Sequence, residues 1–116
     1  LEALGSSPGS TKPYCHVDDA TDALILLALK EQVEKYYNIV PSDVININQV
    51  AKSVMKGMDV DKEIVWLGDE ANWRGDNNLI NTLNTKLKSI GWQNKYNSKE
   101  AIVKAVEDTI KDDLND

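Results

Sequence analysis

The sequence predicts a small mixed fold, α/β or α+β, built from three or four helices and a few short strands. Two segments, one near the middle and one at the end of the chain, repeat apolar residues with helical spacing, and each follows a polar residue that can cap it. Short runs rich in β-branched and aromatic residues lie between the helical segments and favour strands. The length of 116 residues suits one folding unit.

The first thirteen residues, "LEALGSSPGSTKP", show neither a helix start nor the alternation of a strand. We therefore expect a leader or loop over residues 1–13 and a folded part over residues 14–116, which begins with a short extended piece. Position 1 is Leu, and the segment reads as if cut out of something longer. The sequence thus favours a single fragment of a larger protein over residues 1–116, and an added leader peptide is the alternative.

A first helix is predicted over residues 19–31, with the Asp18 carboxylate accepting hydrogen bonds from the free amides of its first turn. Residues 23–29 of this helix ("ALILLAL") form an unbroken apolar run. The run is too short to cross a bilayer, which needs about 20 residues. Because a surface helix has only one apolar stripe, this helix should be covered on more than one side.

The middle of the chain predicts a strand followed by a helix. The strand covers residues 35–40 ("KYYNIV") and ends at Pro41. The helix covers residues 46–58, where Asn46 and Gln49 have the spacing of a capping box. Its apolar residues fall on one face: Ile47, Val50, Ala51, Val54, Met55 and Met58.

Three weaker elements follow. Strands are predicted over residues 63–67 ("EIVWL") and, less clearly, over residues 77–82. A short helix over residues 84–91 is capped by Asn84 or Thr85 and stops at its last residue, a glycine.

The clearest element is a helix over residues 97–114. Asn97 and Glu100 again have the spacing of a capping box. The apolar side chains repeat at helical spacing: Ile102, Ala105, Val106, Ile110 and Leu114.

The charge of the chain argues against two classes of partner. The net charge is −6 and the isoelectric point is about 4.7. Nucleic-acid binders need a basic face that displaces counterions, and anionic membranes attract basic segments. We therefore expect neither nucleic acid nor a membrane as a partner. Cys15 is the single cysteine, so no internal disulfide can form, and a cytoplasmic location is predicted.

No self-contained catalytic or metal site is predicted. The alternating acids Asp59, Asp61 and Glu63 lack the glycine that a calcium loop needs at its sixth position, where Ile64 stands. His16 is the only histidine, and a lone histidine is more often packed or exposed than catalytic. The phosphate-binding patterns G-x-G-x-x-G and G-x-x-x-x-G-K-[ST] are both absent.

Four short motifs follow one another along the chain: "YCHVDD" at 14–19, "YNIV" at 37–40, "KLKSIGW" at 86–92 and "KYNSKEA" at 95–101. Their order and spacing resemble the C-terminal part of the NAD-dependent epimerase/dehydratase family, the extended short-chain dehydrogenases that act on nucleotide sugars. Members of the family carry Y-[IL]-[HY]-V-x-D, Y-N-[IVL]-G, [SK]-L-K-x-L-G-W and [KR]-Y-[ST]-x-E-E-[AG]. The chain departs from the second motif at Val40, which stands where the family has glycine.

The resemblance also defines what this chain lacks. The glycine-rich NAD loop and the Tyr-x-x-x-Lys catalytic pair of the family lie upstream of the matched part, and neither pattern occurs here. The resemblance therefore implies no catalytic residue and no cofactor in this chain. In the parent enzyme, NAD would be held by an N-terminal dinucleotide-binding domain, and hydride would move between NAD and the substrate with the Tyr as acid and base.

The resemblance gives a substrate-binding role to four positions. Lys12 matches a basic residue, usually Arg, that contacts the substrate diphosphate, although Lys offers a point charge in place of a bidentate fork. Asp76 matches the Asp of an R-x-G-D segment that can contact the nucleotide ribose. Trp73 stands where many members have Arg and some have Trp, and Arg74 is expected to take over the cationic role. The alternative for these positions is a solvated loop.

Two functions from different classes follow. The first is the C-terminal substrate-binding portion of a nucleotide-sugar epimerase or dehydratase; the family also contains reductases and threonine dehydrogenases. The second is a free-standing, non-catalytic α/β binding or interaction module. Under the first, the helix that carries residues 23–29 lies between the two domains, and the strand over residues 35–40 joins the dinucleotide-binding sheet. Without that domain, we expect a homo-oligomer built on residues 20–40.

Overall fold

The computed structural model describes residues 1–31, 34–72, 74–77 and 79–116. It confirms the predicted mixed fold of four helices and a few short strands. In chain order the elements are β1 (Glu2–Ala3), β2 (Thr11–Lys12), α1 (Val17–Leu29), β3 (Ile45–Asn46), α2 (Ile47–Gly57), β4 (Val65–Trp66), a 3₁₀ turn (Asp69–Ala71), α3 (Thr85–Ser89) and α4 (Ser98–Asn115).

The strands form two separate pairs. β1 lies parallel to β4, with Glu2 opposite Val65, and β2 lies antiparallel to β3, with Lys12 opposite Ile45. Residues 1–13 were expected to form a loop, yet they contribute two of the four strands. The difference arises because their backbone groups bond to segments more than thirty residues away, which local sequence does not reveal.

Helices α2 and α4 confirm both predicted capping boxes. The Asn46 side chain accepts from the Gln49 N–H at 2.9 Å, and the Asn97 side chain accepts from the Glu100 N–H at 2.8 Å. The two helices pack against each other. A Cβ added at Gly57 would lie 2.6 Å from Val106, so the absence of a side chain there permits the close approach.

Helix α1 begins at Val17, two residues earlier than predicted, and the prediction that Asp18 caps it is wrong. The cap is His16, whose Nδ1 accepts from the Asp18 N–H at 3.1 Å. Asp19 instead turns inward and is 1% exposed. The sequence does not reveal this position of Asp19, because the N–H groups that donate to its carboxylate belong to Lys95 and Tyr96, far along the chain.

The predicted strand over residues 35–40 is wrong, because the segment from 34 to 40 has no regular structure. Two side-chain amides join this region to residues 83 and 84 in place of a neighbouring strand. Asn84 donates to the Val40 carbonyl at 2.8 Å, and Asn38 donates to the Leu83 carbonyl at 3.2 Å. Asn84 therefore occupies the cap position of α3 without capping it.

The strand predicted over residues 77–82 is also not formed in the described part of that segment, where Leu79 makes a single parallel bridge with Thr11. The strand predicted over residues 63–67 is confirmed in its central two residues as β4. The predicted end of α3 is confirmed as well, since Gly91 follows it with a φ of 104°.

The core is small. Its centre is Ala23, Leu87 and Trp92, with half-buried apolar side chains around it: Leu26, Leu27, Tyr37, Ile39 and Ile90. The accessible surface of the chain is 8305 Å², whereas a compact monomer of 12.9 kDa exposes about 6300 Å². The chain thus leaves about 2000 Å² more surface in contact with solvent than a self-sufficient domain of its size.

Part of this excess surface lies on α1. We call Val17, Leu24, Ile25 and Leu29 the α1 outer face; each of them is between 53% and 79% exposed. The N-terminal segment therefore does not cover this face of α1. That α1 is covered on a second side stays a prediction. None of the helices in the described ranges is both long and apolar enough to cross a membrane.

Candidate substrate groove

A groove of about 570 Å³ opens between the N-terminal loop, the start of α2 and the residues that follow β4. Seven of the fourteen described residues that line it have polar side chains: Glu2, Ser6, Ser10, Lys12, Asp69, Asn72 and Asp76. Residues 1–6, Gly9 and Ser10 form one wall, and Ile47 and Ala51 of α2 also line the groove. The volume lies in the range of small-molecule sites.

Two glycines allow the loop over residues 4–10 to pack closely against its neighbours. Gly5 has a φ of 79°, and a Cβ there would lie 2.6 Å from the Asn72 side-chain oxygen. Gly9 has a φ of 81°, and a Cβ there would lie 2.6 Å from Ile47 and 3.1 Å from Trp66. Any larger residue at either position would both strain the backbone and displace a packed neighbour, so these glycines fix the shape of this wall.

The same loop satisfies the free amides at the start of α2. The Ile47 N–H donates to the Ser10 carbonyl at 3.2 Å, and the Asn48 N–H donates to the Pro8 carbonyl at 3.0 Å. These bonds place Ser10, which is 7% exposed, beneath the groove. They also fix the position of Lys12, which lies two residues further on in β2.

The structure brings together two of the four predicted site residues. The Lys12 ammonium forms an ion pair with the Asp76 carboxylate in the groove, and both side chains are partly buried. Leu79 and Ile80 lie beside β2, where the Ile80 N–H donates to the Thr11 carbonyl at 2.9 Å, and Asp76 precedes them in the chain. The two residues are sixty-four positions apart, so the sequence did not indicate that they are in contact.

The ion pair lowers the pKa of Asp76. The hydrogen bond from Lys12 lowers the pKa of the Asp76 carboxyl, and the Lys12 charge and the Ser10 hydroxyl lower it further, against the opposing effect of partial burial. Asp76 is therefore ionised at neutral pH. Its stabilising contribution is present above the usual pKa of Asp and is lost as the pH falls through the lowered value.

The other two predicted site residues are Arg74 and Trp73. Arg74 is exposed in the turn that precedes Asp76. Trp73 lies outside the described residues. Sequence reasoning missed Ser10, Asp69 and Asn72. The motif "GSSPGS" over residues 5–10 could have indicated the loop, because paired glycines mark a backbone that approaches its neighbours closely.

Some of the free N–H groups at the starts of the three long helices already have hydrogen-bond partners. A dinucleotide-binding site offers the free N–H groups of a helix start to the pyrophosphate. Here the start of α1 is capped by His16 and that of α2 by Asn46 and the loop carbonyls. At α4, the Ser98 N–H donates to the Asp43 carboxylate at 2.9 Å.

Cys15, the only cysteine of the sequence, is not an activated nucleophile. Cys15 precedes the lone histidine, but burial, together with the charge of Asp19, raises the pKa of the Cys15 thiol. The thiol therefore stays protonated at neutral pH, and a protonated thiol is a poor nucleophile. Within those residues no three His, Cys, Asp or Glu side chains converge as a metal-binding group.

No protein-family model matches the sequence, and neither does any curated protein. Solved structures do match. The UDP-glucose 4-epimerase of Thermotoga maritima, solved with UDP-glucose, is 25% identical over 97% of this chain and 35% of its own, with a TM-score of 0.80. The dTDP-glucose 4,6-dehydratase of Bacillus anthracis, solved with NAD, is 20% identical over 98% of this chain and 35% of its own, with a TM-score of 0.78.

A UDP-galactose 4-epimerase is 25% identical over 91% of this chain and 36% of its own, with a TM-score of 0.77. The chain thus spans little more than a third of the length of the solved chains that it matches. In fold, the chain is similar to the C-terminal portion of nucleotide-sugar epimerases and dehydratases.

Proposed function

We propose that the chain is the C-terminal substrate-binding portion of an NAD-dependent nucleotide-sugar epimerase or dehydratase. The observation that carries this proposal is the match of 97% of the chain to about a third of an epimerase solved with UDP-glucose. The missing two-thirds would supply the NAD site and the catalytic Tyr and Lys, for which the chain has no equivalent motifs.

In this proposal the groove holds part of the nucleotide. Lys12 contacts the diphosphate through its ammonium group, and Asp76 accepts hydrogen bonds from the ribose hydroxyls. Arg74, in the exposed turn before Asp76, adds a second positive charge. The role of Trp73 rests on the sequence resemblance alone. No residue of the chain takes part in hydride transfer.

The proposed partner within the parent enzyme is a dinucleotide-binding domain that covers the α1 outer face. The excess surface of about 2000 Å² supports this, because an interface between domains of one chain buries about 600–1,500 Å². A free-standing binding module would have to leave these apolar side chains in water. The alternative function therefore has less physical support. We also propose a cytoplasmic location for the parent enzyme, on the basis of the single cysteine.

Substituting Lys12 by alanine should weaken the binding of a UDP-sugar to the parent enzyme by about 10- to 100-fold, because a charge-assisted contact to phosphate contributes about 1.5–3 kcal/mol. Arg74→Ala should have a smaller effect, about twofold to fivefold, since exposed charge contacts are weak. Calorimetry at two salt concentrations measures both effects, which should shrink at high salt.

The matched control for these variants is Lys62→Ala, which removes an exposed ammonium that does not line the groove. It should leave the affinity unchanged. Unchanged affinity in both Lys12→Ala and Arg74→Ala would remove these two residues from the substrate site.

The chain of 116 residues by itself should not bind NAD. The reason is that it lacks a phosphate-binding loop and that the starts of its long helices are already capped. Calorimetry with NAD up to millimolar concentration measures this directly. Saturable binding in the micromolar range would contradict the prediction and would require a cofactor site within the chain.

A further inference from the structure

A second groove, of about 480 Å³, runs between α2 and α4; we call it the helix groove. Along α4 it is lined by Lys99, Val103 and Glu107, which succeed one another at intervals of one helical turn. Along α2 it is lined by Gln49, Lys52, Ser53, Lys56 and Gly57. Its described lining residues include none of those that line the candidate substrate groove, so the helix groove is a separate site.

The helix groove is basic, although the chain as a whole carries a net charge of −6. Among its described lining residues are three ammonium groups, from Lys52, Lys56 and Lys99, and one carboxylate, from Glu107. The three lysines are exposed, and within the described ranges none of them forms an ion pair. By contrast, Lys104 of α4 is neutralised by an ion pair one turn further along the helix. The positive charge of the helix groove is therefore available to a partner.

Apolar surface lies between these charges. Val103 is 37% exposed, and the aliphatic stems of the lysines add to the apolar area beneath their charged ends. The polar groups deeper in the groove already have partners, since the Ser53 hydroxyl donates to the Gln49 carbonyl at 2.9 Å. A partner in the helix groove would therefore meet an apolar strip with ammonium groups along it.

The spacing of the ammonium groups favours a helix as the partner. Lys52 and Lys56 lie one turn apart on α2, with about 5–6 Å between their Cβ atoms, and carboxylates one turn apart on another helix have the same spacing. A groove between helices is also a surface on which an amphipathic helix lays its apolar face. An extended polyanion such as nucleic acid would meet the negative charge of the rest of the chain, whereas single carboxylates contact single lysines.

We propose that the helix groove is the docking site of another protein, which binds through an acidic amphipathic helix. The carboxylates of that helix pair with Lys52, Lys56 and Lys99, and its apolar side chains pack on Val103. Glu107 repels an acidic side chain and so favours a neutral or basic residue of the partner beside it. The inference does not depend on the proposed function, because the two grooves have no described lining residue in common.

The test uses a synthetic helical peptide of about 20 residues that carries glutamate at one-turn intervals with leucine on the same face. Calorimetry at low salt measures its affinity for the chain of 116 residues. Lys52→Glu/Lys56→Glu should weaken binding about tenfold or more, because each substitution replaces attraction by repulsion. The matched control is Lys30→Glu/Lys35→Glu, which makes the same change of net charge at exposed lysines outside the groove and should cost less than about twofold.

Two single variants separate a docking site from a general attraction between charges. Glu107→Gln removes the carboxylate of the groove and should tighten peptide binding about twofold to fivefold. Val103→Gln leaves the charge unchanged and should weaken binding about threefold to tenfold, because apolar contact is lost. Amide chemical shifts should report the peptide at residues 49–57 and 99–107, and circular dichroism of each variant checks that the fold is retained.

Absence of peptide binding by the wild type, equal losses in the two double variants, or shift changes elsewhere on the chain would overturn the inference. Tighter binding of a single-stranded oligonucleotide or of phosphatidylserine vesicles, lost in Lys52→Glu/Lys56→Glu, would overturn it in favour of nucleic acid or a membrane. A lower sedimentation mass of this variant without peptide would identify a second copy of the chain as the occupant, against the assignment to another protein.

Discussion

Replacing Asp19 by alanine is expected to destabilise the chain by about 2–4 kcal/mol, since each hydrogen bond to a buried charged group contributes about 1.5–3 kcal/mol. The Asp19 carboxylate is 1% exposed and accepts from the Lys95 N–H at 2.8 Å and the Tyr96 N–H at 3.1 Å. The Asp19 carbonyl accepts from the Trp92 indole at 3.0 Å. These bonds tie α1 to the segment that precedes α4, and the alanine variant would leave two backbone donors without an acceptor.

The chain contains a matched control for this variant. Asp22 lies on the same helix and forms an ion pair with the Lys95 ammonium at 2.8 Å, but both side chains are largely exposed. Asp22→Ala should therefore cost less than about 1 kcal/mol. Urea unfolding followed by circular dichroism gives both free energies. A similar loss in the two variants would show that the buried carboxylate has no special role, and Asp19→Asn should fall between them, because its amide keeps one acceptor oxygen.

The chain of 116 residues is expected to self-associate through the α1 outer face at concentrations above about 100 μM. Burying one Leu or Ile side chain gains about 1.5–3 kcal/mol, and this face carries four large apolar side chains. Several such gains can offset the cost of association, which is about 4–15 kcal/mol. The absence of a strand over residues 35–40 removes edge pairing as a route, so α1 alone should form the contact.

The variant Leu24→Gln/Ile25→Gln/Leu29→Gln should shift the chain to a monomer in sedimentation or light-scattering measurements. Leu114→Gln is the control, because Leu114 is 81% exposed at the end of α4 and lies on a different helix. A monodisperse wild-type monomer at high concentration would contradict the prediction. Under the proposed function, the same triple variant should weaken the contact of α1 with the proposed dinucleotide-binding domain.

The sequence by itself determined the elements whose signals are local. The capping boxes at Asn46 and Asn97, each followed by apolar residues at helical spacing, predicted α2 and α4 to within one or two residues. The end of α3 before Gly91 was also predicted from a local signal, because glycine readily adopts the positive φ that ends a helix. The order of the motifs further predicted the epimerase-like fold that the structural comparisons support.

Only the tertiary structure decided the features that depend on distant partners. The segment over residues 35–40 has the composition of a strand, yet Asn84 and Asn38 bond it into an irregular path. The N-terminal residues were expected to be a loop, yet they pair with β3 and β4. In both cases composition indicates a preference of about 1 kcal/mol, which long-range hydrogen bonds and burial readily override.

In the candidate site, too, the sequence predicted some features and only the tertiary structure decided others. The sequence identified Lys12 and Asp76 as separate positions of a resembled motif, but it could not show that they form an ion pair across sixty-four residues. It also predicted Asp18 as the capping residue of α1 and gave Asp19 no role of its own. The fold separated them, because the backbone amides of Lys95 and Tyr96 lie within reach of Asp19 alone. Residue type determines which bonds a side chain can make, and only the folded chain determines which partner is near enough to make them.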